Sequence, residues 1–339
     1  MRYLGCRTSL LHRFHRKEAG IIEWSAADEV LPMKRRRVHA TLPRRLSTLL
    51  IVSLAACTPA AGQWMGKQTG CYADSITANP NRPTVANPAD ITQYGVLEIE
   101  YGWDRVWPQP SIDQTSLGGL LKFAVLCDVE LRWNTTSFLS QTDANGTTRG
   151  FGDNWLGAQV RVYKQTKRVP TLAFSYAGKI PSASVAKGLG TGRVDHSFTF
   201  LASKDVASLH FDFNVTHFLI GRQNLLGVGQ QFDQNEQFNL AFSRAIHGKL
   251  QFTGEFYGDT SLNDATPGFA SSLWALTYAI TPRLVIDGGF ETGLTSGGPH
   301  RHAFAGLTYS ITNLYRDWRR GQSGSGRLTL REQSINGSR

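Results

Sequence analysis

Residues 248–260 read GKLQFTGEFYGDT. Leu250, Phe252, Gly254 and Phe256 are apolar or small, and Gln251, Thr253, Glu255 and Tyr257 stand between them. Successive side chains of a β-strand point to opposite faces, so this alternation predicts a strand with one apolar face. In a soluble protein that face would cover a core. In an outer-membrane barrel it meets lipid, and the polar face lines the interior.

Alternating stretches recur along the body, at 94–103, 118–126, 129–139, 153–164, 170–180, 193–203, 206–221, 235–245, 248–258, 269–280, 282–294 and 302–311. Most have the length a tilted strand needs to cross a bilayer. No stretch of comparable length has a helical period, and no run reaches the roughly 20 apolar residues of a helical span. The connections after the even-numbered stretches are short, as in CD (127–128) and IH (246–247). Those after the odd-numbered ones are long and rich in Gly, Pro, Asn and Asp, as in DRVWPQPSIDQTSL (104–117), SQTDANGTTRGFG (140–152) and PSASVAKGLGTG (181–192). Tight periplasmic turns opposite longer extracellular loops are the pattern of outer-membrane barrels. The sequence therefore predicts an all-β fold over 94–311, a transmembrane antiparallel up-and-down β-barrel of about 12 strands.

Charge placement tests this independently. Leu97, Ile99, Leu121, Phe123, Leu131, Trp133, Phe174, Phe213, Phe252, Leu276, Ile286 and Leu307 share one parity of their strands. Glu98, Glu100, Lys122, Glu130, Arg132, Arg161, Lys179, Asp195, Asp212, Glu255, Asp287 and Glu291 fall on the other. A lipid-facing Arg or Lys at mid-bilayer costs about 2–4 kcal/mol, so a barrel must keep charges off that face. The twelve charges are accordingly expected to line the lumen. They admit two roles: selecting permeants by charge, with a mild cation preference, or pairing into salt bridges that fill a narrow barrel. Aromatic residues near strand ends, including Tyr101, Trp103, Trp107, Trp155, Tyr163, Tyr278 and Tyr309, fit interfacial girdles.

The formal charge of +10 resides at the ends of the chain. Residues 1–62 hold 11 Lys/Arg against 4 Asp/Glu, and 312–339 hold 6 against 2, which leaves the body at −1. A neutral body argues against a nucleic-acid partner. From Met33 a basic stretch precedes the apolar run Leu46–Ala56 and then small residues, the pattern of a signal peptide. Residues 1–32 then read as a non-native extension, 33–62 as the signal, 63–93 as a periplasmic segment and 312–339 as a basic disordered tail. LAAC (54–57) offers an alternative, lipidation at Cys57. Export places Cys71 and Cys127 in an oxidising compartment, where they form one disulfide or stay as two isolated thiols. The location of Cys127 in a periplasmic turn near the N-terminal segment favours joining them.

The body resembles a bacterial outer-membrane family named for the meta-pathway of phenol degradation. The resemblance is carried by NRPTVANPADITQYGVLEIEYGW (81–103), FGDNWLGAQVRVY (151–163), LAFSYAGKIPSAS (172–184), GLGTGRVDH (188–196), LHFDFN (209–214), AFSRAIHGKLQFTGEFYGDT (241–260) and PGFASSLWALTYAITPRLVIDGGFETGLT (267–295). It implies an outer-membrane barrel with a transport role. In FAGLTYSI (304–311), Phe304, Gly306, Tyr309 and Ile311 resemble the signal by which barrel-assembly machinery recognises a last strand.

Other chemistry is weakly supported. GLGTGR (188–193) lacks the strand–loop–helix setting and the Lys-Ser/Thr of a phosphate loop. Asp195, His196 and Ser197 are neighbours in an expected strand, so they cannot converge on one substrate. His300 and His302 have no carboxylate or cysteine at ligand spacing. No catalytic residue, cofactor or metal is expected. The expected function is a channel in the Gram-negative outer membrane for small solutes, aromatic or amphipathic ones included, with membrane lipid around it. The alternatives are a non-conducting structural or adhesive barrel and a soluble exported β-protein.

Overall fold

The computed structural model describes residues 71, 73–107, 113–222, 231–262, 266–299 and 301–315. The signal sequence, Cys57, His300 and the tail from 316 lie outside the described residues. Thirteen strands follow one another: β1 (Val96–Trp107), β2 (Asp113–Leu126), β3 (Val129–Asp143), β4 (Gly146–Gly150), β5 (Asn154–Tyr163), β6 (Thr171–Ile180), β7 (His196–Val206), β8 (Leu209–Gly221), β9 (Phe232–His247), β10 (Leu250–Asp259), β11 (Phe269–Thr281), β12 (Leu284–Gly293) and β13 (Arg301–Asn313). Each neighbouring pair is antiparallel, and β1 pairs with both β2 and β13, which closes the sheet. Closure pairs both edges of every strand except the short β4, which meets the condition for crossing a bilayer with strands.

The barrel has twelve staves. Residues 129–135 of β3 pair with β5, and Leu139–Asp143 pair with β4, so β4 and β5 share one stave above and below 151–153. Strand β4 falls where a loop was expected. The turn that makes it is Ala144-Asn145, between the paired Asp143 and Gly146, with Gly146 at φ 126°, a backbone conformation that glycine adopts without strain. The other strands match the expected stretches to within a few residues, except that β1, β2, β3 and β9 extend further toward the long-loop end. No helix among the described residues is long and apolar enough to cross a membrane.

Leu131, Trp133, Phe174, Phe213, Leu276 and Ile286 are exposed on the outer surface, and Glu98, Lys122, Glu130 and Glu255 are fully buried inside. A bulge in β3, where Leu117 faces Phe138 but Gly118 faces Thr136, reverses the parity at Ser137. Below it Glu130 and Arg132 face inward, and above it Leu139 and Gln141 do. Trp155 does not belong to the girdle expected of it: it is 6% exposed and faces the lumen with Gln159 and Arg161 of the same strand.

The segment before β1 departs most from the sequence reading. It was expected to lie in the periplasm through residue 93, but residues 79–92 lie inside the barrel, bonded to its inner wall. Ala86 and Ala89 are completely buried there. Cys71 is bonded to Cys127 in the β2–β3 turn, Cα to Cα 5.5 Å, so the segment enters from the short-turn end. The bond spans a sequence separation of 56, which constrains the unfolded chain by about 4 kcal/mol. The Cys71→Ser variant should therefore lose the Cys71–Cys127 peptide from non-reducing digests. It should also convert to the unfolded gel form at a lower temperature, and an unchanged conversion temperature would count against that contribution.

Candidate functional site

The lumen is built by the inward parity of the staves meeting the N-terminal segment. An irregular segment carries backbone amides that no ladder satisfies, and each needs an acceptor inside the barrel. The wall carboxylates supply many of them. Asn79 N donates to Glu98 at 2.9 Å, and the amides of Asn81 and Arg82 donate to the two oxygens of Glu100 at 2.8 and 3.0 Å. Val85 N and Ala86 N donate to the two oxygens of Glu255, each at 2.7 Å, and Asn239 adds a third donor. Thr92 donates its amide and its hydroxyl to Glu130, both at 2.7 Å. Asn87 exchanges hydrogen bonds with Asn214, and Ala89 N donates to Ser203, whose hydroxyl donates to Asp212. Hydrogen bonds to charged acceptors contribute about 1.5–3 kcal/mol each, so this set holds the segment firmly.

Three further features fix it. Lys122 lies between Glu98 and Glu100, 2.7 Å from each, and also donates to Asn79 O and Asn81 Oδ1. Val85 packs with Tyr257, Phe269, Leu273, Ala275 and Phe304 of the wall, and Ala89 with Ala173 and Leu201. Arg82 reaches Asp287 at 2.9 Å. Its guanidinium lies in a recess at the facing pair Gly102 and Gly306. A Cβ at Gly102 would lie 2.2 Å from Arg82 Nη1, and one at Gly306 would lie 2.3 Å from Nε. Any larger residue would therefore fill the slot. Gly306 and Phe304 thus face the interior, whereas Tyr309 and Ile311 of the expected assembly signal face outward.

The remaining expected residues are also inside the barrel. Arg161 pairs with Asp90 and Asp128, and Lys179 with Asp195 at 2.5 Å. Glu291 accepts from Tyr257 and His302, and His302 also contacts Asp104. Asp195 lies just before β7, in the loop 181–195. It accepts from Gly221 N, and Lys179 also donates to Thr191, so the pair anchors that loop. Leu189 of the GLGTGR stretch is 2% exposed and packs on Leu139 and Ala183, a role the glycine pattern did not suggest. Asp195 and Ser197 are buried while the His196 ring stacks on the exposed Tyr176, so the three do not converge.

Above the segment, toward the long loops, lies a cavity of about 150 Å³. Arg82, Val85 and Asn87 floor it, and the wall contributes Glu100, Asp104, Gln114, Arg132, Asn134, Trp155, Lys179, Leu189 and His302. It is a mixed site: several charges already paired, amide and hydroxyl groups, and one inward indole.

A family described as "Putative MetA-pathway of phenol degradation" matches residues 81–311. The match begins at Asn81, within the lumen segment and not at the first strand. No curated protein matches the chain in sequence. The fold is similar to that of the COG4313 outer membrane channel from Pseudomonas putida F1, with 11% identity, 72% of this chain and 99% of that chain covered, and a TM-score of 0.52. The NanC porin aligns at 12% identity over 63% of this chain and all of its own, with a TM-score of 0.44.

Proposed function

The chain belongs to the phenol-degradation family so described, and from that premise we propose that its barrel is an outer-membrane channel for passive passage of small solutes. The observation that carries this reading is the lumen. Its polar wall encloses a cavity on the long-loop side of a segment that is held by hydrogen bonds, ion pairs and packing. Such contacts can rearrange one at a time without opening the strand ladder. The outward aromatic and aliphatic surface fits membrane lipid, and the outward Tyr309 and Ile311 are the residues available to assembly machinery.

A twelve-stave barrel lies between a filled eight-stranded barrel and an open sixteen-stranded porin. With the segment in place the conductance should be small. The test is single-channel recording of the refolded full chain in a planar bilayer under a salt gradient. Discrete small openings are expected. A folded, inserted and silent barrel would favour the second reading, a closed structural barrel, which the extent of the internal ion pairing supports.

A further inference from the structure

We infer that Arg132 anchors a carboxylate-binding subsite for a one-ring aromatic solute within the lumen. This rests on the channel reading only in placing the subsite on the solute's path.

The Arg132 side chain is 9% exposed, and its Nε donates to Glu130 Oε1 at 2.7 Å. Its Nη2 is buried and has no hydrogen-bond partner among the described residues. A guanidinium has five N–H donors in a rigid fork, and a buried one with an idle arm is aimed at an acceptor that the protein does not supply. Glu130 cannot turn to cover it, because its other oxygen accepts both groups of Thr92. The other acids around the cavity are also engaged: Glu100 with Lys122 and two amides, Asp153 with Ala183 N, and Asp104 with His302. An incoming carboxylate therefore meets a donor arm, Nη2, that none of these acids occupies.

The neighbouring register supplies the ring's place. Arg132 faces Gly157 across β3–β5, where no side chain intervenes, and Asn134 faces the inward Trp155 one step up. The volume of about 150 Å³ equals that of engineered protein cavities that take up benzene. One ring with one carboxylate fits that volume.

The test is calorimetric titration of the full chain in detergent with benzoate and with benzyl alcohol, its neutral counterpart. Benzoate should bind saturably and at least about tenfold more tightly than benzyl alcohol. The Arg132→Gln variant should lose that difference, and Arg132→Lys should retain only part of it, because an ammonium cannot match the fork. Heat-modifiable gel migration reports whether each variant has folded. Equal binding of the two compounds by the unsubstituted protein would overturn the inference, with no variant needed, as would a difference that survives Arg132→Gln. Conductance separates the two readings. A conducting barrel indifferent to benzoate removes the subsite alone, whereas a silent barrel that binds benzoate through Arg132 removes the channel alone.

Discussion

Deletion of residues 78–92 should raise single-channel conductance about fivefold or more, because it empties the lower lumen of a twelve-stave barrel. The deletion is structurally mild at its junction. Thr77 and Gln93 already touch, through Thr77 N to Gln93 Oε1 at 3.2 Å and Gln93 Nε2 to Thr77 Oγ1 at 2.8 Å. It leaves the Cys71–Cys127 bond and every strand pairing in place. The carboxylates that lose their amide donors would face a water-filled lumen, where water replaces those donors and the desolvation cost disappears. The barrel should therefore still form, with lower thermal stability. Single substitutions give a graded version. Gly102→Ala and Gly306→Ala each place a methyl group where Arg82 now lies, and Arg82→Ala removes the ion pair with Asp287 directly. All three should lengthen openings without abolishing assembly. A folded deletion variant with unchanged conductance would show that the constriction lies elsewhere, for instance where Leu189 of the loop 181–195 packs on Leu139.

The wall of the barrel was legible in the sequence and its filling was not, for a physical reason. Strand faces are written at period two, so the inward parity of Glu98, Lys122 and Glu255 follows from their own neighbours. A segment that lies in a lumen has no period, because its contacts come from many strands at different heights. NRPTVANPADITQYG (81–95) therefore reads as a polar linker. One signal was available. The inward set holds eight acids against four bases, a surplus first read as a mild cation preference. Among the described residues, Glu255 has no cationic side chain bonded to it and serves two backbone amides and Asn239, while Asp287 serves Arg82 of the segment. Much of the surplus is thus the complement of the segment's own donors. Trp155 was misplaced for a related reason. Its position near a strand end suggested a girdle, but its parity with Gln159 and Arg161 puts it inside. Parity was the better guide at that position.

The face assignment itself has a sharp test in two adjacent residues. Phe256→Arg should strongly reduce insertion, whereas Glu255→Gln should insert like the unsubstituted protein. Phe256 is 44% exposed on the outer surface, near the middle of β10, and meets Trp274 edge-on at 5.8 Å. Trp274 in turn stacks on Phe252 at 5.9 Å, so the substitution puts a cation within an aromatic, lipid-facing patch. The expected cost is about 2–4 kcal/mol near the bilayer midplane, and every 1.4 kcal/mol is about tenfold in the folding equilibrium. Glu255 is fully buried on the opposite side of the same strand. Its replacement keeps the side-chain volume and one acceptor oxygen for Val85 N or Ala86 N, and leaves the other amide without its partner. That loss falls on the lumen segment and not on the wall. Glu255→Gln should accordingly assemble fully yet show more frequent openings, and Phe256→Arg should fail before any current can be recorded. Equal yields of heat-modifiable protein from the two variants would mean that lipid does not lie against Phe256, and the barrel's outer face would have to be reassigned.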